Sequence, residues 1–250
     1  MHDIDALDDI DASSRRPLPE GAKGRIQRAF KLSQLFERAQ RATREAAIEA
    51  AEVSVVPGGT VLLQQGATPD ALVVLGRGRV RIERDAGEGR IVPLGYRGTG
   101  EVIGEACLGH APAHAENATA MEECEVVKIP LPALDALLAS DPGLGAAMLG
   151  VLLARQREAE DRIESLLFRN VEGRVIEFLL KAADRWGVPI PRGTLISAPI
   201  THLEIAQSVG STRETVTLTL GALRRDGLLD VAGRRLIVKN RDGLAARQAL

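Results

Sequence analysis

Residues 200–226, ITHLEIAQSVGSTRETVTLTLGALRRD, leave little freedom in how they can fold. Thr201 and Glu204 form a TxxE capping box that starts one helix. Leu203, Ile205, Ala206 and Val209 give it an apolar stripe, and Gly210 stands just past its end, where a left-handed residue is wanted. Ser211 and Glu214 make a second box, SxxE, opening a helix with Val216, Leu220 and Leu223 at helical spacing. Two capped helices joined by a glycine turn are a helix-turn-helix, a shape that fits the major groove of DNA. The second helix carries Arg213 and Glu214 where such a helix meets base edges. The expected nucleic-acid surface comprises Thr201, His202, Ser211, Thr212, Arg213, Glu214, Thr217 and Leu218. His202 is read there as a capping or phosphate-contact residue.

The charge distribution agrees. The chain carries −2 overall, yet from Asn170 onward it has 12 Lys and Arg against 8 Asp and Glu. A basic C-terminal third on an acidic body fits phosphate contacts confined to one module. A length of 250 residues suggests one large or two small domains. Aromatic residues make up only 2%, so the cores must be aliphatic. Cys107 and Cys124 are the only cysteines, and neither a signal peptide nor an apolar run of transmembrane length is present. These features lead us to expect a cytoplasmic, reduced protein with no membrane partner. No P-loop, G-x-S-x-G or HExxH occurs, and paired carboxylates such as Glu122–Glu123 fall in turns, so no enzyme is expected.

The fold class is α+β, in four segments. Residues 1–23 are acidic and aperiodic and read as a disordered tail. Residues 24–141 read as one domain, in which the resemblance described below implies a sensor: helical to about Glu52, then short β-branched runs broken by Gly and Pro to Ile129, which suggests a β-sandwich or barrel. Gly76 and Gly78 bracket Arg77 in a hairpin turn or bulge. Asp141–Pro142 is an N-cap followed by a helix-starting proline, opening a helix over 142–169. There Leu149, Leu152, Gln156, Ala159, Ile163 and Leu166 recur at alternating spacings of three and four, a heptad seam flanked by charges, as a parallel homodimer needs. Asn170 caps the next helix and opens the DNA-binding segment 170–250, with the hinge at Arg169–Asn170. LLDVAGRRLIVKN reads as a hairpin turning near Ala232–Gly233, with Arg234, Arg235 and Lys239 as a basic wing.

VIGEACL around Gly104–Glu105, LLFRNVEGRV at the hinge and EIAQSVGSTRETV in the DNA module occur in that order. In this order the chain resembles the bacterial cyclic-AMP receptor protein and fumarate–nitrate regulator family over roughly 32–239. The resemblance implies a cyclic-nucleotide-binding-type β-roll, a long dimerisation helix and a winged helix-turn-helix. It also implies transcriptional control as activator or repressor, with RNA polymerase as a further partner. In the cyclic-AMP-responsive members a Gly-Glu pair binds the ribose, and an Arg-Ser pair some ten residues on clamps the phosphate. Gly104 and Glu105 match the first pair, but His114 and Ala115 stand at the second. A neutral imidazole and a methyl group cannot replace a forked guanidinium and a hydroxyl. A Thr-Ser pair that reads adenine falls on Ala159 and Glu160. The implied pocket (Gly104, Glu105, His114, Ala115, Ala159, Glu160) is therefore degenerate for cyclic AMP. In the second helix the family's Arg-Glu pair is matched by Arg213 and Glu214. Its later arginine falls on Leu218, which suits a thymine methyl rather than guanine.

The signal itself stays open. Cys107, His110 and His114 form CxxHxxxH, the only metal or haem candidates. The spacing matches no standard site and no fourth ligand is evident, so no metal is expected. Cyclic di-GMP, haem or no ligand at all are the alternatives. The rival functional class is a haem- or other-ligand-binding sensor whose output is a protein partner.

Overall fold

The computed structural model describes residues 20–87, 90–109, 111–198 and 200–248. Three helices lead: α1 (Glu20–Leu32), α2 (Gln34–Glu37) and α3 (Arg41–Ala50). Eight strands follow: β1 (Glu52–Val56), β2 (Val61–Leu63), β3 (Ala71–Arg77), β4 (Val80–Asp85), β5 (Ile91–Arg97), β6 (Val102–Ile103), β7 (Asn117–Ala120) and β8 (Cys124–Pro130). A 3-10 turn covers Glu105–Gly109, after β6. Next come α4 (Leu131–Ser140), α5 (Pro142–Phe168) and α6 (Val171–Trp186). The C-terminal unit adds β9 (Gly187–Ile190), β10 (Gly193–Ile196), α7 (His202–Val209), α8 (Arg213–Arg225), β11 (Leu229–Ala232), β12 (Arg235–Val238) and α9 (Arg241–Gln248).

The first eight strands form two antiparallel sheets, ordered β1-β8-β3-β6 and β2-β7-β4-β5. Strand β3 dictates how they are covered. Its run ALVVLG is apolar throughout, so both faces need burial. Val73 and Leu75 join Val80, Ile82, Ala118 and Ala120 inside the roll. Leu72 and Val74 join Ile26, Phe30, Phe36 and Leu144 in a second core under the helices. A register shift between Leu75 and Arg77 marks a bulge at Gly76. Gly78, at φ 96°, then turns the chain into the other sheet. Both the bulge and the turn are present, but the turn links two sheets rather than a hairpin.

Helix α1 begins inside the segment expected to be a tail. Ile26, Ala29 and Phe30 recur at helical spacing and are buried, which draws Glu20–Lys23 into the helix. The rest of that tail, residues 1–19, lies outside the described residues.

Asp141 caps α5 as the sequence implies, accepting from the backbone amides of Gly143 (2.9 Å) and Leu144 (3.4 Å). It also accepts from Gln40 N at 2.7 Å, tying the start of α3 to the start of α5. That last bond is the main reason its carboxyl is held below the usual carboxylate range. Leu144 and Met148 bury the first turns of α5, while Leu149, Leu152, Ile163 and Leu166 face outward. Asn170 accepts from Gly173 N at 2.8 Å and caps α6 across a two-residue extended break.

The C-terminal sheet has four strands, ordered β11-β12-β10-β9. The hairpin of β11 and β12 turns at Gly233–Arg234 as expected, but β9 and β10 do not follow from the residue pattern. Pro189 reads as a breaker there, and is tolerated because β9 is an edge strand. Helix α9 was also unforeseen; Leu244 anchors it in the core of α6, α7 and α8. Among the described residues no single helix is long and apolar enough to cross a membrane.

Candidate nucleic-acid interface

Helix α7 starts with a complete capping box. Thr201 Oγ1 accepts from Glu204 N (3.1 Å), and Glu204 Oε2 accepts from Thr201 N (2.7 Å). Gly210, at φ 64° and ψ 54°, closes the helix by donating its N–H to Ala206 O. The second cap falls on Thr212 rather than Ser211. Thr212 Oγ1 accepts from Thr215 N at 3.2 Å, and α8 begins at Arg213. Glu214 is therefore the second residue of the helix and cannot reach back as the third residue of a box does. Thr215 occupies that place, its hydroxyl 3.0 Å from that of Thr212. Ile205, Ala206 and Val209 pack with Val216, Leu220 and Leu223 to set the two helices against each other.

That packing leaves Thr212, Arg213, Glu214, Thr217 and Leu218 on the exposed face of α8. Arg213 and Glu214 make no side-chain hydrogen bond or ion pair among the described residues, so both are free for a partner. Leu218 is 74% exposed, which water alone does not favour for a leucine. Thr217 is differently placed. Its hydroxyl donates to Arg213 O (2.8 Å), so it accepts from His202 Nδ1 (2.9 Å). It braces α8 against α7, with its one proton already spent. Ser211, outside the cap, is half-buried in the turn. Arg234 and Arg235 are exposed at the tip and start of the wing strands. Thr201, His202, Arg234 and Arg235 line one wall of a cleft of about 770 Å³. Arg79, Arg81 and Thr119–Glu122 of the β-roll form the other.

The C-terminal unit docks on the roll through particular contacts. Arg81 pairs with Glu204 (3.2 Å) and with Glu83 (2.6 Å). Trp186, the only tryptophan, meets Tyr96 edge-on at 5.1 Å between ring centres, with Arg79 over its ring. Arg162 of α5 donates to Ser208 O (3.1 Å).

The implied effector pocket is only partly assembled. At Gly104 (φ 86°) a Cβ would meet Ala71 O at 2.7 Å, so glycine is required. Glu105 is paired with Arg155 of α5, which also donates to Val102 O. Burial lowers the Arg155 guanidinium to about 10. Residue patterning passed over Arg155, which looks like one more charge flanking the heptad seam. His114 is buried, its backbone paired with Ala67 O (2.8 Å) and Gly66 N (2.9 Å). Burial lowers its imidazole pKa, outweighing Glu116 and Asp70. Ala115 O accepts from Arg84 Nε at 3.0 Å. Ala159 and Glu160 stand exposed on α5, Glu160 accepting from Gln156.

Cys107 is packed in the helical core and its thiol is pushed up to about 11 by burial. Such a thiol is a poor metal ligand. His110 lies outside the described residues, and among those described no three His, Cys, Asp or Glu cluster to hold a metal.

Comparison with known proteins fits this architecture. The Cyclic nucleotide-binding domain family matches residues 53–141, and the Crp-like helix-turn-helix domain matches residues 173–247. The CRP-like cAMP-activated global transcriptional regulator of Mycobacterium tuberculosis is 30% identical over 76% of this chain and 85% of its own length. The chain belongs to the cyclic-AMP receptor protein and fumarate–nitrate regulator family. The Cyclic AMP receptor protein of Thermus thermophilus is 31% identical over 69% of this chain and 77% of its own length. A solved transcriptional regulator from the same organism superposes with a TM-score of 0.68 at 25% identity, covering 79% of this chain and 97% of that one. The chain is thus a DNA-binding transcription regulator with a cyclic-nucleotide-binding-type domain.

The two caps separate cleanly by mutation. Thr212→Ala should destabilise the unit by about 1 kcal/mol, whereas Ser211→Ala should fall within about 0.5 kcal/mol of wild type in urea unfolding. Equal losses would return the cap to Ser211.

Proposed function

We propose that two copies of the chain pair through α5 and read an inverted-repeat DNA site with α8, without the cyclic-AMP response of their relatives. The outward face of α5 carries the reading. Leu149 and Ile163 are 57% and 58% exposed, and Leu152, Gln156, Ala159 and Leu166 are exposed along the same seam. Burying one leucine or isoleucine is worth about 1.5–3 kcal/mol, so a repeating exposed stripe calls for a covering surface. A heptad stripe is covered by its own copy across a two-fold axis. Gln156 then fixes the register.

A two-fold dimer presents two α8 helices to successive major grooves. Arg213, Glu214 and Leu218 read bases there, Leu218 against a thymine methyl. Thr201, His202, Arg234 and Arg235 meet phosphates, and RNA polymerase is the further partner, in the cytoplasm. The pocket chemistry supports loss of the cyclic-AMP response. His114 and Ala115 offer no phosphate clamp, Ala159 and Glu160 no adenine contacts, and Glu105 is already engaged by Arg155.

Three measurements test the reading. Ile163→Glu places like charges at the seam and should give monomers in sedimentation; a fully dimeric variant would move the interface elsewhere. Calorimetry should detect no micromolar binding of cyclic AMP, and a saturable micromolar isotherm would restore the pocket. In randomised-site selection, Arg213→Ala should lose about 1–3 kcal/mol of preference at one base pair per half-site. Arg234→Ala and Arg235→Ala should weaken all DNA alike, shallowing the salt dependence by roughly 0.9 for each phosphate no longer neutralised. An unchanged selected motif for Arg213→Ala would mean that α8 is not the reading helix.

A further inference from the structure

A cavity of about 750 Å³ lies between the two units; Arg155, which pairs with Glu105, stands in its wall, while Gly104, Glu105, His114 and Ala115 do not line it. Its walls are α5, α6, the 95–102 segment between β5 and β6, the junction of α1 with α2, and the end of α7. Leu35, Val102, Val151, Phe178 and Trp186 supply apolar surface. Its size lies within the ordinary range for small-molecule sites.

The charges in the wall do not balance. Arg97 pairs with Glu158 (3.3 Å), Lys181 with Glu177 (2.6 Å), and Arg185 with Glu101. Among the described residues Arg162 and Arg174 have no carboxylate within ion-pair reach. Arg162 donates there to Ser208 O alone. Arg174 donates to the backbone oxygens of Val209 (2.7 Å), Arg169 (2.7 Å) and Gly210 (3.5 Å). Of the other two acids in the wall, Asp184 pairs with Arg241 (2.7 Å) and Asp161 is exposed on α5. A guanidinium offers five N–H donors, so both arginines keep donors to spare. Burial also lowers the pKa of Arg162, as an uncompensated cation requires. In the same wall the buried Ser33 Oγ has no hydrogen-bond partner among the described residues.

We propose that this cavity binds a small organic anion, its carboxylate or phosphate head held by Arg162 and Arg174 and its apolar body lying against Phe178 and Trp186. An anionic head supplies the acceptors that both guanidinia lack, and carboxylate and phosphate both match the guanidinium fork. Because the walls come from both units, the occupant is coupled to their relative arrangement and hence, reciprocally, to any event that changes it.

Trp186 reports on this site directly, being the chain's only tryptophan. The full-length protein is titrated with 1-naphthyl phosphate, with 1-naphthoate and with uncharged 1-naphthalenemethanol, following Trp186 fluorescence. Saturable quenching by one or both anions, at least tenfold tighter than by the alcohol, is the expected result; the tighter anion identifies the head group. Arg162→Gln and Arg174→Gln should each weaken it at least tenfold, while Arg41→Gln, at an exposed arginine away from the cavity, leaves it unchanged. Circular dichroism and a thermal melt check that each variant is folded, and the two arginine variants are independent, so one unstable protein does not end the test. Three results would overturn the proposal: no saturable quenching by either anion, equal binding of the alcohol, or full affinity in both arginine variants.

Discussion

Every unit of the molecule leans on α5. Its 27 residues span about 40 Å. Leu144 and Met148 bury its first turns in the core shared by α1–α4 and the outer face of β3. Further along, Arg155 reaches the Glu105 turn, and Arg162 reaches the backbone of α7 at Ser208. At its far end Leu166 lies against Gly210, where a Cβ would come within 3.4 Å of it. A helix used on so many sides cannot bury its outer stripe within one chain. That geometric shortage is why the stripe of Leu149, Leu152, Ile163 and Leu166 stays exposed.

The same economy appears in Glu204. Its carboxylate completes the capping box that starts α7 and also pairs with Arg81 of β4. The start of the helix-turn-helix is therefore held by a side chain that also holds the unit to the β-roll. Tyr96 against Trp186 and Arg79 over the Trp186 ring add a second point of attachment. These contacts turn Thr201, His202 and the wing arginines toward a cleft facing the roll, while Arg213, Glu214 and Leu218 remain outward. The two groups of side chains thus occupy different surroundings.

Most of the architecture was legible in the residues. Caps at Asp141, Asn170 and Thr201, the αL glycine at Gly210 and the turn at Gly233 all work within a few positions, where local geometry leaves few alternatives. Ser211 failed as a cap because SxxE and TxxT are offset by only one residue. Only the packing of Val216, Leu220 and Leu223 on α7 decides which of the two registers α8 adopts. Strands β9 and β10 were hidden because Pro189 argues against a strand unless it lies on an edge, and edge or centre is a property of the assembled sheet.

By itself the sequence determined the order of units, the caps at Asp141, Asn170 and Thr201, and the apolar stripe of α5. Each of these depends on side-chain chemistry or on periodicity within a few turns. The tertiary structure decided which charges meet. Arg81 and Glu204 lie 123 positions apart, and Arg28 and Glu125 97 apart, so no spacing rule foretells them. It also decided which cations meet a carboxylate: Arg155, Arg162 and Arg174 look alike along the chain, yet among the described residues Arg155 pairs with Glu105 while Arg162 and Arg174 meet backbone oxygens. The reason is physical. Hydrogen bonds at helix ends are set by neighbours in the chain, whereas the desolvation and pairing of a buried charge are set by whatever the packed fold brings beside it.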